Sequence, residues 1–240
     1  MFEFHYRGVV LCNADPAPNT DSYLLLQFGS ASNMTPTSPS VPRLSRGRIS
    51  FTPLQIDNIY THFRWNNDPE LNRLDSEIPY EEETFGQFKR RFETMCERPP
   101  RRHQDFEIHA DETLIGVAYA ARINMHHRHA LVGITIGDRD YWGRGYGRES
   151  LRLLMDYCFD ALNLHRICAE TFEYNTAWRE LVEGMGFRKE GTAREYLCRE
   201  GSFWNKHNYA LLRREYVDAY ESTGLADTEI EGDLPVREAA

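Results

Sequence analysis

Positive charge is in short supply in this 240-residue chain: Lys and Arg total 28 against 37 Asp and Glu, a formal net charge of −9. General nucleic-acid binding needs clustered basic residues and is not expected; a cationic partner is compatible with the balance. Long hydrophobic runs are also missing. None approaches the roughly 20 apolar residues of a membrane span. The opening, MFEFHYRGVVLCNADP, lacks the basic and apolar regions of a signal peptide. Cysteine is sparse and odd in number: Cys12, Cys96, Cys158, Cys168 and Cys198, with no CxxC pair. Neither a disulfide framework nor a zinc site is expected, and a reducing cytoplasm suits the chain.

What is present divides the chain in three. Residues 29–42, GSASNMTPTSPSVP, are too rich in Ser, Thr and Pro to bury much, so 1–45 reads as an extension and linker. Met34 lies inside that linker and is expected to be the true initiator. Residues 217–240 end in the polar, acidic STGLADTEIEGDLPVREAA and read as a tail. Between them, 46–216 is strongly patterned. The expected order is one strand (RISFTPL), two helices (from Ile56 and from Phe85), three strands (DFEIHA, TLIGVAYAARI, ALVGITIGD), and a helix. A strand (HRICAETFE), a helix over 175–184, and two strands joined at Glu200-Gly201 follow. This is a mixed α/β (α+β) chain with hairpins and no internal repeat.

The most informative stretch is RDYWGRGYGRES, residues 139–150, with Gly143, Gly145 and Gly147 at alternate positions just before an amphipathic helix. That helix carries Leu151, Leu154, Met155, Cys158, Phe159 and Leu162 on one face. A helix start leaves backbone N–H groups without intrahelical partners and carries partial positive charge. Glycines let a phosphate come close to those groups, and Arg144 and Arg148 can add charge-assisted hydrogen bonds. Strand, glycine turn and helix together make an anion cradle, for which a diphosphate is the expected guest. A Walker A ending is absent, and G-x-G-x-G is not the dinucleotide spacing G-x-G-x-x-G.

At these residues the chain resembles the GNAT acetyltransferases, and within them the RimJ/RimL-like group. The glycine motif falls on Trp142, Gly143, Arg144, Gly145, Tyr146 and Gly147. Further matches follow in order: WNNDPE, LIGV, GITIGD, LNLHRI, Asn175 with MGF, EGTAREY and NYALLRREY. The resemblance covers roughly 46–216. It implies a single mixed, mostly antiparallel central sheet with splayed middle strands, flanked by helices. It also implies acetyl-CoA, with the pyrophosphate on the N–H groups of Arg144 to Arg148 and the pantetheine arm along the backbone of Ile134 and Ile136. Asn175 matches an asparagine that contacts the cofactor in the family, and it also suits a helix N-cap. The acceptor implied is a primary amine, either a protein N-terminus or a small molecule; INMHHRHA loosely resembles spermidine acetyltransferases. Dimers are frequent in the family, and the sequence is silent on oligomeric state.

The chain departs from that family where side-chain chemistry is expected. Leu131 stands where many relatives carry Glu, Val182 where many carry a tyrosine acid, and Trp178 where some carry Ser. The remaining candidates are Tyr196 as proton donor and Glu173 as a base acting through water, with Tyr174 beside them; each also reads as structural. These losses keep a non-catalytic acyl-CoA-binding or sensing module, or a plain interaction domain, as alternatives. HHRH, 126–129, sits in an expected hairpin turn and reads as a solvated loop, with no metal expected. Asp68, Glu70, Asp75, Glu81, Glu82 and Glu83 fall in and between the first two helices, which in the family wall the acceptor pocket. They read first as a solvated acidic face and helix N-terminus, and could also attract a cationic amine.

Overall fold

A computed structural model describes residues 42–97, 102–220 and 228–231. The extension up to residue 41, with Met34, and most of the acidic tail lie outside the described residues. One nine-stranded sheet runs through the molecule, in the order β7-β8-β6-β5-β4-β3-β2-β1-β9. Its strands are β1 (Arg43–Arg46), β2 (Ile49–Thr52), β3 (Gln104–Ala110), β4 (Thr113–Asn124), β5 (His129–Ile136), β6 (Arg166–Phe172), β7 (Arg188–Arg199), β8 (Ser202–Leu212) and β9 (Glu229–Glu231). All neighbours pair antiparallel except β5 with β6, which are parallel.

Short turns dictate the hairpins. Asp111 and Glu112 take φ of +46° and +70° between β3 and β4, and Glu200 and Gly201 take +54° and +75° between β7 and β8. Two consecutive positive φ values match the right-handed twist of the flanking strands. The turn at Glu200-Gly201 stands where the sequence placed it.

The helices are α1 (Ile59–Asn66), α2 (Pro69–Asp75), α3 (Phe85–Glu97), α4 (Tyr146–Asp156), α5 (Thr176–Gly184) and α6 (Arg213–Tyr220). Phe51, Phe106, Ile108, Ala120 and Val132 on one sheet face join α4, α5 and α6 in the main core. The apolar stripe read from Leu151 to Leu162 is fully inside it, continuing past Asp156 through a π turn at Tyr157–Ala161. On the opposite face, Phe88 and Phe92 of α3 pack against Ile59. There Glu107 of β3, fully buried, accepts hydrogen bonds from the Gln55 N–H (2.9 Å) and Asn58 Nδ2 (2.7 Å) and meets His62 Nε2 at 2.9 Å.

Four elements were not foreseen. The sequence reading had one strand before two helices; the structure has β1 paired with β2, and α2 between α1 and α3. It ended the patterned unit at 216, yet α6 runs on to Tyr220 and β9 returns to pair with β1. Thr228 anchors that return: its hydroxyl donates to Asp156 (2.7 Å), which also binds Arg46 (2.7 Å) and Arg152 (2.9 Å).

Candidate functional site

The sheet opens in the middle. β5 and β6 are paired only through His129↔Arg166, Ala130↔Ile167 and Leu131↔Cys168. β5 nevertheless runs on to Ile136 beside β4, and β6 runs on to Phe172 beside β8. The two strands therefore diverge, and a cleft of about 730 Å³ fills the angle between them.

One end of the cleft is the glycine turn. Gly143 and Gly145 take φ of +69° and +88°, the left-handed region that favours glycine. Gly145 is the N-cap of α4, and the first bond into the helix runs from the Glu149 N–H to the Gly145 carbonyl (3.1 Å). The N–H groups of Tyr146, Gly147 and Arg148 thus precede the helical ladder, at its electropositive end. A Cβ on Gly143 would meet nothing within 4 Å, and one on Gly147 would stand 3.6 Å from Leu181 and 3.7 Å from Ile134. The turn is open beside Gly143, next to the N–H groups that precede the ladder, the arrangement in which a helix start binds an anion. Arg48 grips Glu149 through two close bonds (2.6 and 3.0 Å) and donates to the Arg144 carbonyl (3.0 Å), neutralising the one carboxylate in the first turn.

Ile134, Ile136, Trp142, Gly143, Gly145, Gly147, Arg148 and Asn175 all line the cleft; the side chains of Arg144 and Tyr146 do not. Tyr146 instead packs beneath Arg48, 3.9 Å from ring centre to guanidinium. Arg148 turns its guanidinium to the Gly184 carbonyl at the end of α5 (3.2 Å). The cradle's positive character therefore comes from backbone N–H groups, the helix dipole and the charge of Arg148 at its edge. Along β5, the Gly137 N–H donates toward β4 (2.9 Å), so by alternation Ile134 and Ile136 turn their backbone groups to the open side. Trp142 Nε1 already donates to the Ile136 carbonyl (2.7 Å), leaving Ile134 with its N–H and C=O both facing the gap. Asn175 is an N-cap, its Oδ1 accepting from the Trp178 N–H (3.1 Å), while Nδ2 donates to the Leu74 carbonyl (3.0 Å).

The other end of the cleft is lined by Asp75, Glu77, Tyr119, Leu131, Glu170 and Lys206. Lys206 bridges Glu77 (2.5 Å) and Glu170 (2.6 Å), and Arg122 meets Glu170 at 3.1 Å. Burial alone lowers the Lys206 ammonium, but the two carboxylates outweigh it and its pKa is raised. Asp75, at the last residue of α2, accepts from Thr135 Oγ1 on β5 (3.0 Å). Burial pushes its carboxyl pKa up to about 6, against the Thr135 bond that lowers it. The Tyr119 ring covers Gly133 so closely that a Cβ there would lie 2.3 Å from its Cζ.

Tyr196 and Glu173 are not among the residues lining the cleft. Tyr196 stands at the rim, 48% exposed, its hydroxyl donating to Glu77 (3.1 Å) with Lys206 over its ring (4.8 Å). The Glu173 carboxylate accepts from the Asn205 N–H (3.2 Å). Tyr174 is occupied: its hydroxyl donates to the Arg73 carbonyl (2.8 Å) and accepts from Arg199 (3.0 Å). Tyr119, Glu170 and Lys206 escaped the sequence reading. Charges inside apolar strands, in CAETF and WNKHNY, were the signal available.

Residues 48–188 match the family model described as an acetyltransferase (GNAT) domain. The N-acetyltransferase p20 of Bacillus licheniformis, itself uncharacterized, is 26% identical over 172 residues, 71% of this chain and 96% of its own. The spermidine N(1)-acetyltransferase of Escherichia coli K12 is 23% identical, covering 73% of this chain and 92% of its own. Among solved structures, a spermidine N-acetyltransferase from Vibrio cholerae in complex with CoA and spermine superposes with a TM-score of 0.64. It is 24% identical and covers 71% of this chain and 98% of its own.

Proposed function

Because the chain belongs to the GNAT family and is an acetyl-CoA-dependent acetyltransferase, we propose that it acetylates a small polycationic amine of the polyamine type. The observation that carries this reading is the acidic far end of the cleft. Asp75, Glu77 and Glu170 present three carboxylates there, with Lys206 the lysine among them. Lys206 and Arg122 already pair with Glu77 and Glu170, which leaves the three carboxylates one negative charge in excess and Asp75 without a cation among the described residues, a place for an ammonium group of the acceptor. The likeness to a relative named for spermidine, over 73% of this chain and 92% of that relative, supports the same choice. The odd cysteine count and the free Cys96, Cys158, Cys168 and Cys198 suit a reducing, cytoplasmic setting.

In this reading the N–H groups from Arg144 to Arg148 hold the pyrophosphate and the Ile134 backbone holds the pantetheine arm. When bound, acetyl-CoA supplies the thioester. The protein's part is to bring the amine to it in the gap between β5 and β6 and to manage the protons. Tyr196 is read as a rim residue that orients Glu77 toward the acceptor, and Glu173 as a tie between β6 and β8.

The test is calorimetric titration of acetyl-CoA into the wild type and a Gly145→Glu variant, then thiol release with spermidine, spermine and N-terminal peptides. The expected result is binding lost in the variant and release with the polyamines. Release with peptides alone would replace the polyamine by a protein N-terminus.

A further inference from the structure

Behind the acceptor end of the cleft lies a second, smaller cavity of about 30 Å³. Asp75, Thr135 and Leu71 line both spaces, so Asp75 stands at their junction. The small cavity has room for about one or two water molecules. Asn72 also lines it, and its Nδ2, in a side chain only 6% exposed, meets no acceptor among the described residues. Such a donor is the place for an ordered water. One oxygen of Asp75 accepts from Thr135 Oγ1; among the described residues no cation or second donor reaches the carboxylate.

We infer that Asp75 is the catalytic base: it takes the proton that the acceptor's ammonium group must lose before its nitrogen attacks the thioester, and passes it to water in the small cavity. This rests on the amine-acetyltransferase reading above and not on the amine being a polyamine. The protons balance as follows. R–NH3+ and the Asp75 carboxylate become R–NH2 and the carboxylic acid. The nitrogen lone pair forms the C–N bond, the C–S bond breaks toward sulfur, and the second N–H proton goes to the leaving thiolate. The Asp75 proton leaves through the small cavity, so the net products are the amide, the thiol and one proton.

The surroundings suit that role. Glu77 and Glu170 are both paired with Lys206, and Leu131 carries no charge, which leaves Asp75 as the carboxylate among these residues that holds only the Thr135 hydroxyl and no cation. The groups facing it are Thr135 on β5, Tyr119 on β4, Glu170 on β6, Lys206 on β8 and the uncharged Trp65 and Asn66 of α1. A carboxyl titrating at about 6 is ionised at neutral pH, yet far more basic than an ordinary aspartate.

The test is the pH profile of kcat/KM with spermidine for the wild type, Asp75→Asn and Thr135→Val, together with carboxyl-carbon NMR of labelled aspartate. The wild-type rate is expected to fall below pH about 6. Thr135→Val removes a bond that favours the ionised carboxylate, so it moves this limb to higher pH, which a purely structural role would not do. Asp75→Asn abolishes the limb and lowers kcat by roughly 10²- to 10⁴-fold, while calorimetric affinity for acetyl-CoA stays within about twofold. An unmoved limb, an undiminished Asp75→Asn rate, or an Asp75 signal titrating near pH 4 overturns the inference. Failure to acetylate any amine overturns the functional reading instead; the NMR titration, which needs no acceptor, judges Asp75 separately.

Discussion

The two ends of the cleft depend on glycine for different reasons, and single methyl groups separate them. Gly143 needs its left-handed φ of +69°, and an added Cβ would meet no neighbour within 4 Å. Gly143→Ala therefore carries only a conformational cost, about 1–2 kcal/mol, and under the proposed function its methyl would crowd the pyrophosphate of acetyl-CoA. The expected outcome is a small loss of Tm and a roughly tenfold or larger rise in KM for acetyl-CoA. Gly133 is the reverse case: its Cβ would collide with the Tyr119 ring at 2.3 Å, so the ring must move. Gly133→Ala should cost about 1–3 kcal/mol by overpacking and lower kcat/KM for the amine, with KM for acetyl-CoA within about twofold. Steady-state kinetics with each substrate varied in turn, alongside urea melts, checks both. Equal effects of the two variants on both substrates would mean that the cleft is not divided in this way.

Between those ends, α2 crosses the opening as a strap. Asp68 caps it, accepting from the N–H groups of Glu70 and Leu71, and Arg139 beside the glycine turn binds Asp68 and Glu70 at 2.8 and 2.9 Å. At its far end Arg199 of β7 donates to the carbonyls of Arg73 (2.5 Å) and Ser76 (2.8 Å), joining Tyr174 and Asn175 there. These bonds satisfy carbonyls that a short helix leaves open and set where Asp75 and Glu77 stand. Arg199→Ala should loosen that end at a cost of about 1–3 kcal/mol and raise KM for the amine about tenfold, with little change for acetyl-CoA. An unchanged amine KM would show the strap to be held elsewhere. The sequence did not reveal α2 because seven residues carry too little periodicity, although Asp68-Pro69 was a start signal in plain view. α4 was legible because its apolar stripe is long, and the β7–β8 turn because Gly201 suits positive φ. β1 and β9 were not: four and three residues, mostly polar, take their pairing from the rest of the sheet. The glycine cradle, being local, could be read directly. The hydrogen bond from Thr135 to Asp75 could not, because it joins residues 60 positions apart in the chain.

At the scale of the molecule, two carboxylates pull the pH dependence of stability in opposite directions. For Glu107, burial alone would raise the pKa, but His109, His62 and the Gln55 N–H outweigh it and hold it at about 2. Its folded value lies below the unfolded one, so its contribution is present above pH about 4.5 and is lost as pH falls toward 2, up to about 3 kcal/mol. Asp75 has the opposite sign. Its folded value of about 6 lies above the unfolded one, so the fold is weakened as pH rises from about 4 through 6 and gains nothing back beyond it. That loss is at most about 3 kcal/mol, and less where cleft water screens the charge. Glu107 thus secures α1 against the sheet, while Asp75 is a carboxylate whose ionised form the unliganded fold does not favour. Urea melts at pH 4 and pH 8 separate the two. Glu107→Gln should be less stable than wild type at pH 8, the gap narrowing on acidification. Asp75→Asn should match wild type near pH 4 and be the more stable protein at pH 8, despite its slower turnover. A gain in stability joined to a loss of rate is what a residue retained for chemistry produces. An Asp75→Asn chain less stable than wild type at pH 8 would mean that the carboxylate is there to hold α2 to β5.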